Sequence, residues 1–253
     1  MGDIARCSLG KPTDYYNEDL LYNLFGVNAE LLIDHAWGYE PCTMKDVKAY
    51  KPENRSLCSG QVLHCPYNYE KTKLIVYEMT DLLVLDLVKK HLQTNQIVLT
   101  VGYDVDNLKN NRYKGKVTID RYGRKVPKHA HGTINLDKYT SSTKVIMEKV
   151  NELFERIINK ELLTRRIYIT ANNLKTEDEV KEAEKNSFEQ INLFTNLEQN
   201  VENEKKEKKE NSLQHAMIDI KSKFGKNAIL RGMNFVEGGT TIQRNKQVGG
   251  HSE

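Results

Sequence analysis

Between residues 57 and 171 the hydrophobic pattern changes period in a fixed order, and that order leaves few folds open. A short run at Gly60–Cys65 reads as a strand. From Thr72 to Leu92 the apolar residues recur at helical spacing. Ile75, Val76, Met79, Leu82, Leu83 and Leu87 fall within about 140° of a wheel turning about 100° per residue. Ile97–Tyr103 is rich in β-branched residues and reads as a second strand, and Thr133–Tyr139, where Ile134 and Leu136 alternate with polar residues, as a third. Ser141 or Ser142 can cap a second helix that carries Ile146, Val150, Leu153, Phe154 and Ile157 on one side. Arg166–Ala171 closes the run as a strand. The order is β-α-β-β-α-β, the split βαβ arrangement. It predicts an α+β fold in which two helices cover one face of a four-stranded sheet and the other face is open to a partner.

The link between the two middle strands, residues 104–132, is far longer than a hairpin needs. It also concentrates charge. The chain's formal net charge of +3 hides a block of +7 over residues 57–170, between −3 over residues 1–56 and −4 over residues 171–210. Within residues 107–128 of the link, Lys109, Arg112, Lys114, Lys116, Arg121, Arg124, Lys125 and Lys128 stand against Asp120 alone. Such asymmetry points to a polyanion. Contacts from these cations to phosphates would give affinity without base identity. Tyr113 and Tyr122 interleave with them and are placed to stack on sugars or bases or to brace a hairpin. His129 and His131 read as a loop pair beside the basic surface, since no third residue completes a metal site. Asp104 and Asp106 read as turn residues that open the loop.

The flanks are less regular. Residues 14–38 read as two short helices, the first capped by Asp14 and ended by Gly26, the second capped by Asn28 and ended by Gly38, with Trp37 in the core. A helix–glycine–helix hairpin of this kind can present backbone N–H groups to phosphate or can simply pack. Pro41–Arg55 reads as an extended linker. Residues 172–210 are polar and unperiodic, a tether or a solvated helix, apart from an apolar island at Phe188–Phe194. Residues 212–224 form an amphipathic helix with Leu213, Ala216, Met217 and Ile220, and the stretch from Gly238 to Gly250 reads as loose. A hydrophobic fraction of 38% and a mean hydropathy of −0.65 fit a chain that is partly unpacked. No run approaches the roughly 18 apolar residues of a membrane helix. Met1–Arg6 does not read as a signal peptide. Cys7, Cys42, Cys58 and Cys65 form no CxxC pair, which argues against zinc or disulfide frameworks and fits a reducing cytosol. No catalytic constellation stands out.

Several segments nevertheless form a pattern. Arg55–Tyr67, Val76–Leu82, Leu99–Asp104, Pro127–Thr133 and Tyr139–Ser142 together resemble the little-finger domain of Y-family translesion DNA polymerases, in the UmuC-type (ImpB/MucB/SamB) group of Gram-positive bacteria and their mobile elements. Residues 1–40 are similar to the second half of that family's helix-hairpin-helix thumb, and Lys223–Leu230 with Gln247–His251 to its tail. The resemblance implies a partial helical thumb at 1–50, a linker at 51–56, a little-finger DNA-binding domain at 57–171 and a flexible tail at 172–253. It implies a role in DNA repair: gripping primer–template DNA, damaged DNA included, in the cytoplasm and the SOS response. The family's magnesium-binding palm carboxylates are not matched, so the chain is expected to hold no cofactor and to be inactive as a polymerase alone. RecA or a catalytic palm segment are the further partners it implies. Gln190-Ile191-Asn192-Leu193-Phe194 resembles the bacterial sliding-clamp-binding pentapeptide, with Gln190 at a pocket rim and Ile191, Leu193 and Phe194 supplying the apolar contact. A non-catalytic adaptor or decoy that occupies the clamp is the alternative reading.

Overall fold

The computed structural model describes residues 1–50, 55–109, 113–120, 123–186 and 197–247. They divide into two units, Met1–Glu53 and Asn54–Glu253.

The first unit holds four short helices, α1 (Gly2–Ser8), α2 (Glu18–Phe25), α3 (Asn28–Ala36) and α4 (Met44–Ala49). Their core is small: Cys7, Leu21 and Ala29 are buried, with Ile4, Leu20 and Ile33 packed around them. The local caps differ from the sequence expectation. Asn17, not Asp14, caps α2, its side-chain oxygen accepting from the Leu20 amide at 3.0 Å. Asp14 instead accepts from the Lys11 amide at 2.9 Å and closes the preceding turn. Asn28 is the first residue of α3 rather than its cap. Gly26 ends α2 at a φ of 59°, where a side chain would be strained. Trp37, expected in the core, is 56% exposed. A core built around the methyl of Ala29 has no room for an indole, whose Nε1 donates to Ser8 Oγ at 3.1 Å instead.

The second unit follows the predicted order. Strand β1 (Leu57–Tyr67) leads into α5 (Tyr69–Lys89), then β2 (Leu92–Tyr103), a single 3₁₀ turn at Val105–Leu108, and a hairpin of β3 (Val117–Ile119) and β4 (Lys125–Pro127). Strand β5 (Ala130–Thr140), α6 (Thr143–Ile157) and β6 (Thr164–Asn172) complete the sheet. Asn68 caps α5 and Ser142 caps α6, each accepting from the amide three residues on. The strands lie in the order β1-β6-β2-β5, all antiparallel, so β6 is inserted between the two strands that α5 connects. One face is apolar: Ile97, Leu99 and Val101 of β2 and Ile167, Ile169 and Ala171 of β6 are fully buried. They pack against Ile75, Met79, Ile146, Val150 and Phe154 of the two helices. On β5, Gly132 lets α6 pass close to the strand. A Cβ there would lie 2.7 Å from Ile157 Cγ2.

Beyond the sheet come β7 (Lys175–Thr176), which pairs with the start of β2, and α7 (Glu177–Asn186). Helix α8 (Leu197–Phe224), a 3₁₀ turn at Gly232–Phe235 and α9 (Thr241–Arg244) follow. Residues 172–210 read as a tether or a solvated helix and 212–224 as a separate short helix; the structure instead runs one helix through Leu197–Phe224. Where it is described, the C-terminal region is packed. Helix α8 buries Gln214 and Met217, while Leu213 is 59% exposed. The rotation is set by polar contacts at the start of α6: Gln214 Nε2 donates to Ser141 O and Thr143 Oγ1, both at 2.9 Å. Glu210 accepts there from Ser142 Oγ at 2.7 Å and the Lys144 amide at 3.0 Å, satisfying N–H and O–H groups that the helix itself leaves open. Of the stretch expected to be loose, residues 248–250 lie outside the described residues, and residues 238–247 lie with the rest of 225–247 over the outer side of α5. This helix is therefore buried on both sides, with Glu78 and Asp81 under 10% exposed.

Helices α5 and α6 are joined across their outer edges by a charged network. Glu155 accepts from Lys73 Nζ at 2.7 Å, from Lys160 Nζ at 3.0 Å and from the Tyr69 hydroxyl. These donors, Lys73 first, pull the Glu155 carboxyl down to about 2 from an ordinary 4.5. Its side chain is 32% exposed, so water screens part of the gain. A lowered folded value gives stability that is full above 4.5 and fades as pH falls toward 2. Glu155→Gln should therefore be less stable than the wild type in urea at pH 7, with the gap narrowing at pH 3. A gap that is the same at both pH values would contradict this account.

Candidate nucleic-acid interface

Period-2 alternation sends the other half of each strand to the uncovered face of the sheet. The register aligns these side chains in rows. Gly60, Tyr168, Thr100 and His131 form one row across β1, β6, β2 and β5. Cys58, Thr170, Val98 and Thr133 form the next, and Val62, Arg166 and Gly102 another. A fourth row, Asn172, Gln96 and Asn135, is linked by hydrogen bonds of 3.1 and 2.9 Å. The face is thus mainly hydroxyl, amide, imidazole and guanidinium. His131 Nδ1 is 2.8 Å from Thr100 Oγ1. Gly60 lets the Tyr168 ring lie flat over β1, because a Cβ there would be 2.7 Å from the ring's Cδ1.

The β3–β4 hairpin rises beside this face. Pairs Val117–Pro127, Thr118–Val126 and Ile119–Lys125 define it, and a bond of 2.8 Å from the Lys128 amide to Lys116 O closes its base. Between hairpin and sheet runs a groove of about 640 Å³. Thr100, Arg166 and Tyr168 form its floor, Arg124 and His129 reach it from the hairpin side, and Arg165 stands at its end. The groove also contains carboxylates. Asp104 is 3.7 Å from Arg165 Nε, and Asp120 accepts from Arg124 Nε and Nη2 at 3.0 and 2.7 Å. Asp104 is a turn residue as expected, accepting from the Asp106 amide at 2.8 Å. The Tyr103 hydroxyl is pushed up by burial, though it is partly relieved by accepting from the Asn159 amide.

The hairpin separates the expected cations into groups. Arg124 and His129 line the sheet groove, while Lys109, Tyr113 and Lys125 line a second concavity on its opposite side. Lys109 is paired with Asp106 at 2.7 Å, and that carboxylate holds its ammonium above the usual lysine range. Tyr113 braces the loop, donating to Lys116 O at 3.2 Å. Lys114, Lys116, Lys125 and Lys128 are exposed, and none has a carboxylate partner among the described residues. Arg112, Arg121 and Tyr122 lie outside the described residues, as do Gln190, Ile191, Leu193 and Phe194. Among the described residues no three His, Cys, Asp or Glu side chains are grouped to hold a metal ion, and no helix is long and apolar enough to cross a membrane.

Sequence reasoning missed Arg165, Arg166, Tyr168 and Thr170. The signal was present in β6: Arg166, Tyr168 and Thr170 alternate with the fully buried Ile167, Ile169 and Ala171. Once the strand is assigned, its polar half must face away from the two helices.

Comparison with known proteins supplies the wider setting. Residues 55–193 match the impB/mucB/samB family C-terminal domain. Over 235 residues the chain is 26% identical to the protein of Bacillus subtilis (strain 168) named "Putative UV-damage repair protein UvrX". That alignment takes in 92% of this chain and 47% of the relative, so the chain spans about half the length of the curated relative it matches.

The open face can be perturbed without touching the core. Gly60→Ala should displace the Tyr168 ring, read as a change in its NMR ring signals, while stability changes by less than about 1 kcal/mol because the ring is exposed. Unchanged ring signals would contradict the close packing of Tyr168 over Gly60.

Proposed function

The chain belongs to the impB/mucB/samB family through its C-terminal domain, and from that membership we propose that it is the DNA-gripping part of a damage-bypass polymerase. One observation carries the reading: an uncovered sheet face of hydroxyl, amide and guanidinium groups lies under a hairpin at which Lys114, Lys116, Lys125 and Lys128 have no carboxylate partner among the described residues. Lysines free of carboxylates suit phosphates, which repeat at even spacing and carry no sequence information. A grip on the backbone tolerates an altered base because it does not need to read it. Arg124 is held by Asp120, so it acts as a fixed wall of the groove. Tyr168 offers a ring to a sugar or base. Magnesium-dependent chemistry would belong to palm carboxylates supplied with the rest of such an enzyme.

The test is anisotropy titration of the full chain with a labelled primer–template duplex over a range of salt. Four phosphate contacts from Lys114, Lys116, Lys125 and Lys128 predict a contribution of about −3.6 to the slope of log affinity against log salt. Changing all four to alanine should remove most of that contribution, and damaged or sequence-scrambled duplexes should bind like the original. Affinity indifferent to salt, or unaffected by the four changes, would overturn the reading.

The second half of the proposal is that Gln190–Phe194 docks on the bacterial sliding clamp, with Leu193 and Phe194 as anchors in an apolar cleft. Tethering there would keep the DNA grip near the primer end at high effective concentration. Leu193→Ala combined with Phe194→Ala should abolish binding to immobilised clamp and leave duplex affinity unchanged. Clamp binding that survives the double change refutes the docking. A wild-type chain that binds clamp but no duplex would favour the adaptor instead.

A further inference from the structure

Glu78 sits in the middle of α5 with 1% of its surface exposed. A carboxylate so deeply buried is costly unless its oxygens are satisfied. Four donors satisfy it, and all come from the C-terminal segment. Oε2 accepts from the Thr240 amide at 2.8 Å, the Thr241 amide at 3.2 Å and Thr240 Oγ1 at 3.3 Å, and Oε1 accepts from Asn234 Nδ2 at 2.8 Å. Gly239 makes the close pass possible, since a Cβ there would be 3.1 Å from Glu78 Oε1. Two ion pairs flank the anchor, Arg231 to Asp81 at 2.6 Å and Lys71 to Glu237 at 2.7 Å. The carboxylate and the segment therefore explain each other: the segment is why a charge can be buried there, and the charge is what holds the segment.

The anchored segment then reaches the sheet. Gln61 Nε2 donates to Thr240 Oγ1 at 2.8 Å. Arg244 Nη2 donates to Ser59 Oγ and Gly60 O, both at 3.1 Å, on β1, an edge strand. A polar concavity of about 720 Å³ opens at this edge, between Gln61, Val62 and His64 on one side and Gln243, Arg244 and Gln247 on the other. Val62 also lines the groove under the hairpin, so the two concavities adjoin.

We infer that residues 231–247 are a strap that belongs to the binding surface. Anchored by Glu78, the strap carries Gln243, Arg244 and Gln247 past the β1 edge, where they extend the groove along the phosphate backbone of nucleic acid. The inference rests on the reading of the sheet groove as a DNA-backbone surface. Glu78 is a positioning residue in it, acting through the strap. Arginine and glutamine side chains are both common donors to phosphate. The groove under the hairpin and the strap concavity meet at Val62, which suits a ligand that runs from one into the other.

The test uses the full chain and the same labelled duplex. Arg244→Ala with Gln247→Ala changes two partly or fully exposed side chains. It should weaken duplex binding about five- to tenfold at 0.1 M salt and flatten the salt slope by about 0.9, one charged phosphate contact. Glu78→Gln should weaken binding similarly. It should also speed hydrogen exchange of the Thr240 and Thr241 amides while Leu99 and Ile169 stay protected, which separates loss of the strap from loss of the fold. Adding Arg244→Ala and Gln247→Ala to Glu78→Gln should weaken binding little further. If the Arg244 and Gln247 changes leave affinity intact while the four-lysine variant loses it, the strap inference is overturned and the groove reading stands. If the wild type binds no duplex, the groove reading itself fails.

Discussion

Burial of a single face of the four-stranded sheet is the constraint on which the rest of the molecule depends. Ile97, Leu99, Val101, Ile167, Ile169 and Ala171 are withdrawn from water by α5 and α6, at a gain of about 1.5–3 kcal/mol for each of the larger side chains. Because strand side chains alternate, this burial also dictates the opposite face. A slip of one residue in any strand would place isoleucine outside and Arg166 or Thr100 inside. The core therefore fixes the register of the rows that form the candidate interface. Those rows take their places from the core, and hydrogen bonds such as Thr100–His131 and Gln96–Asn135 tie neighbours across the strands.

A second constraint acts on the other side of α5. Apolar contact holds that helix to the sheet, whereas hydrogen bonds and ion pairs from the C-terminal segment hold its outer surface. The resulting order is sheet, helix pair, then α8 and the strap. Glu210 and Gln214 of α8 satisfy polar groups at the start of α6, while Asn234, Thr240 and Thr241 satisfy Glu78. The outer layer is thus specified by polar complementarity more than by apolar area, which is why it left a weak mark on the sequence.

The fold of the central domain was legible because both of its periodicities were. The stripe of α5 and the alternation of β6 are local signals, and they identify the β-α-β-β-α-β order without tertiary information. The basic link between the middle strands was legible too, as charge. What charge could not tell was its division by the hairpin, or that Asp106 and Asp120 engage Lys109 and Arg124. The stretch from Gly238 was read as loose because Glu78 and Thr240 are 162 residues apart, and a polar pair at that distance has no local signature. Trp37 was misplaced for a related reason. A large apolar residue predicts burial only where the core has room, and the three-residue core of the first unit does not.

The central claim is that the uncovered sheet face is the surface that meets DNA. Methyl and aromatic NMR of the full chain, titrated with a primer–template duplex, tests it most directly. The account predicts shifts at Thr100, Thr133, Tyr168 and Thr170, with Leu99, Ile167 and Ile169 behind them largely still. Shifts confined to residues outside the open face and hairpin, with the signals of Thr100 and Tyr168 unmoved at saturating duplex, would contradict it.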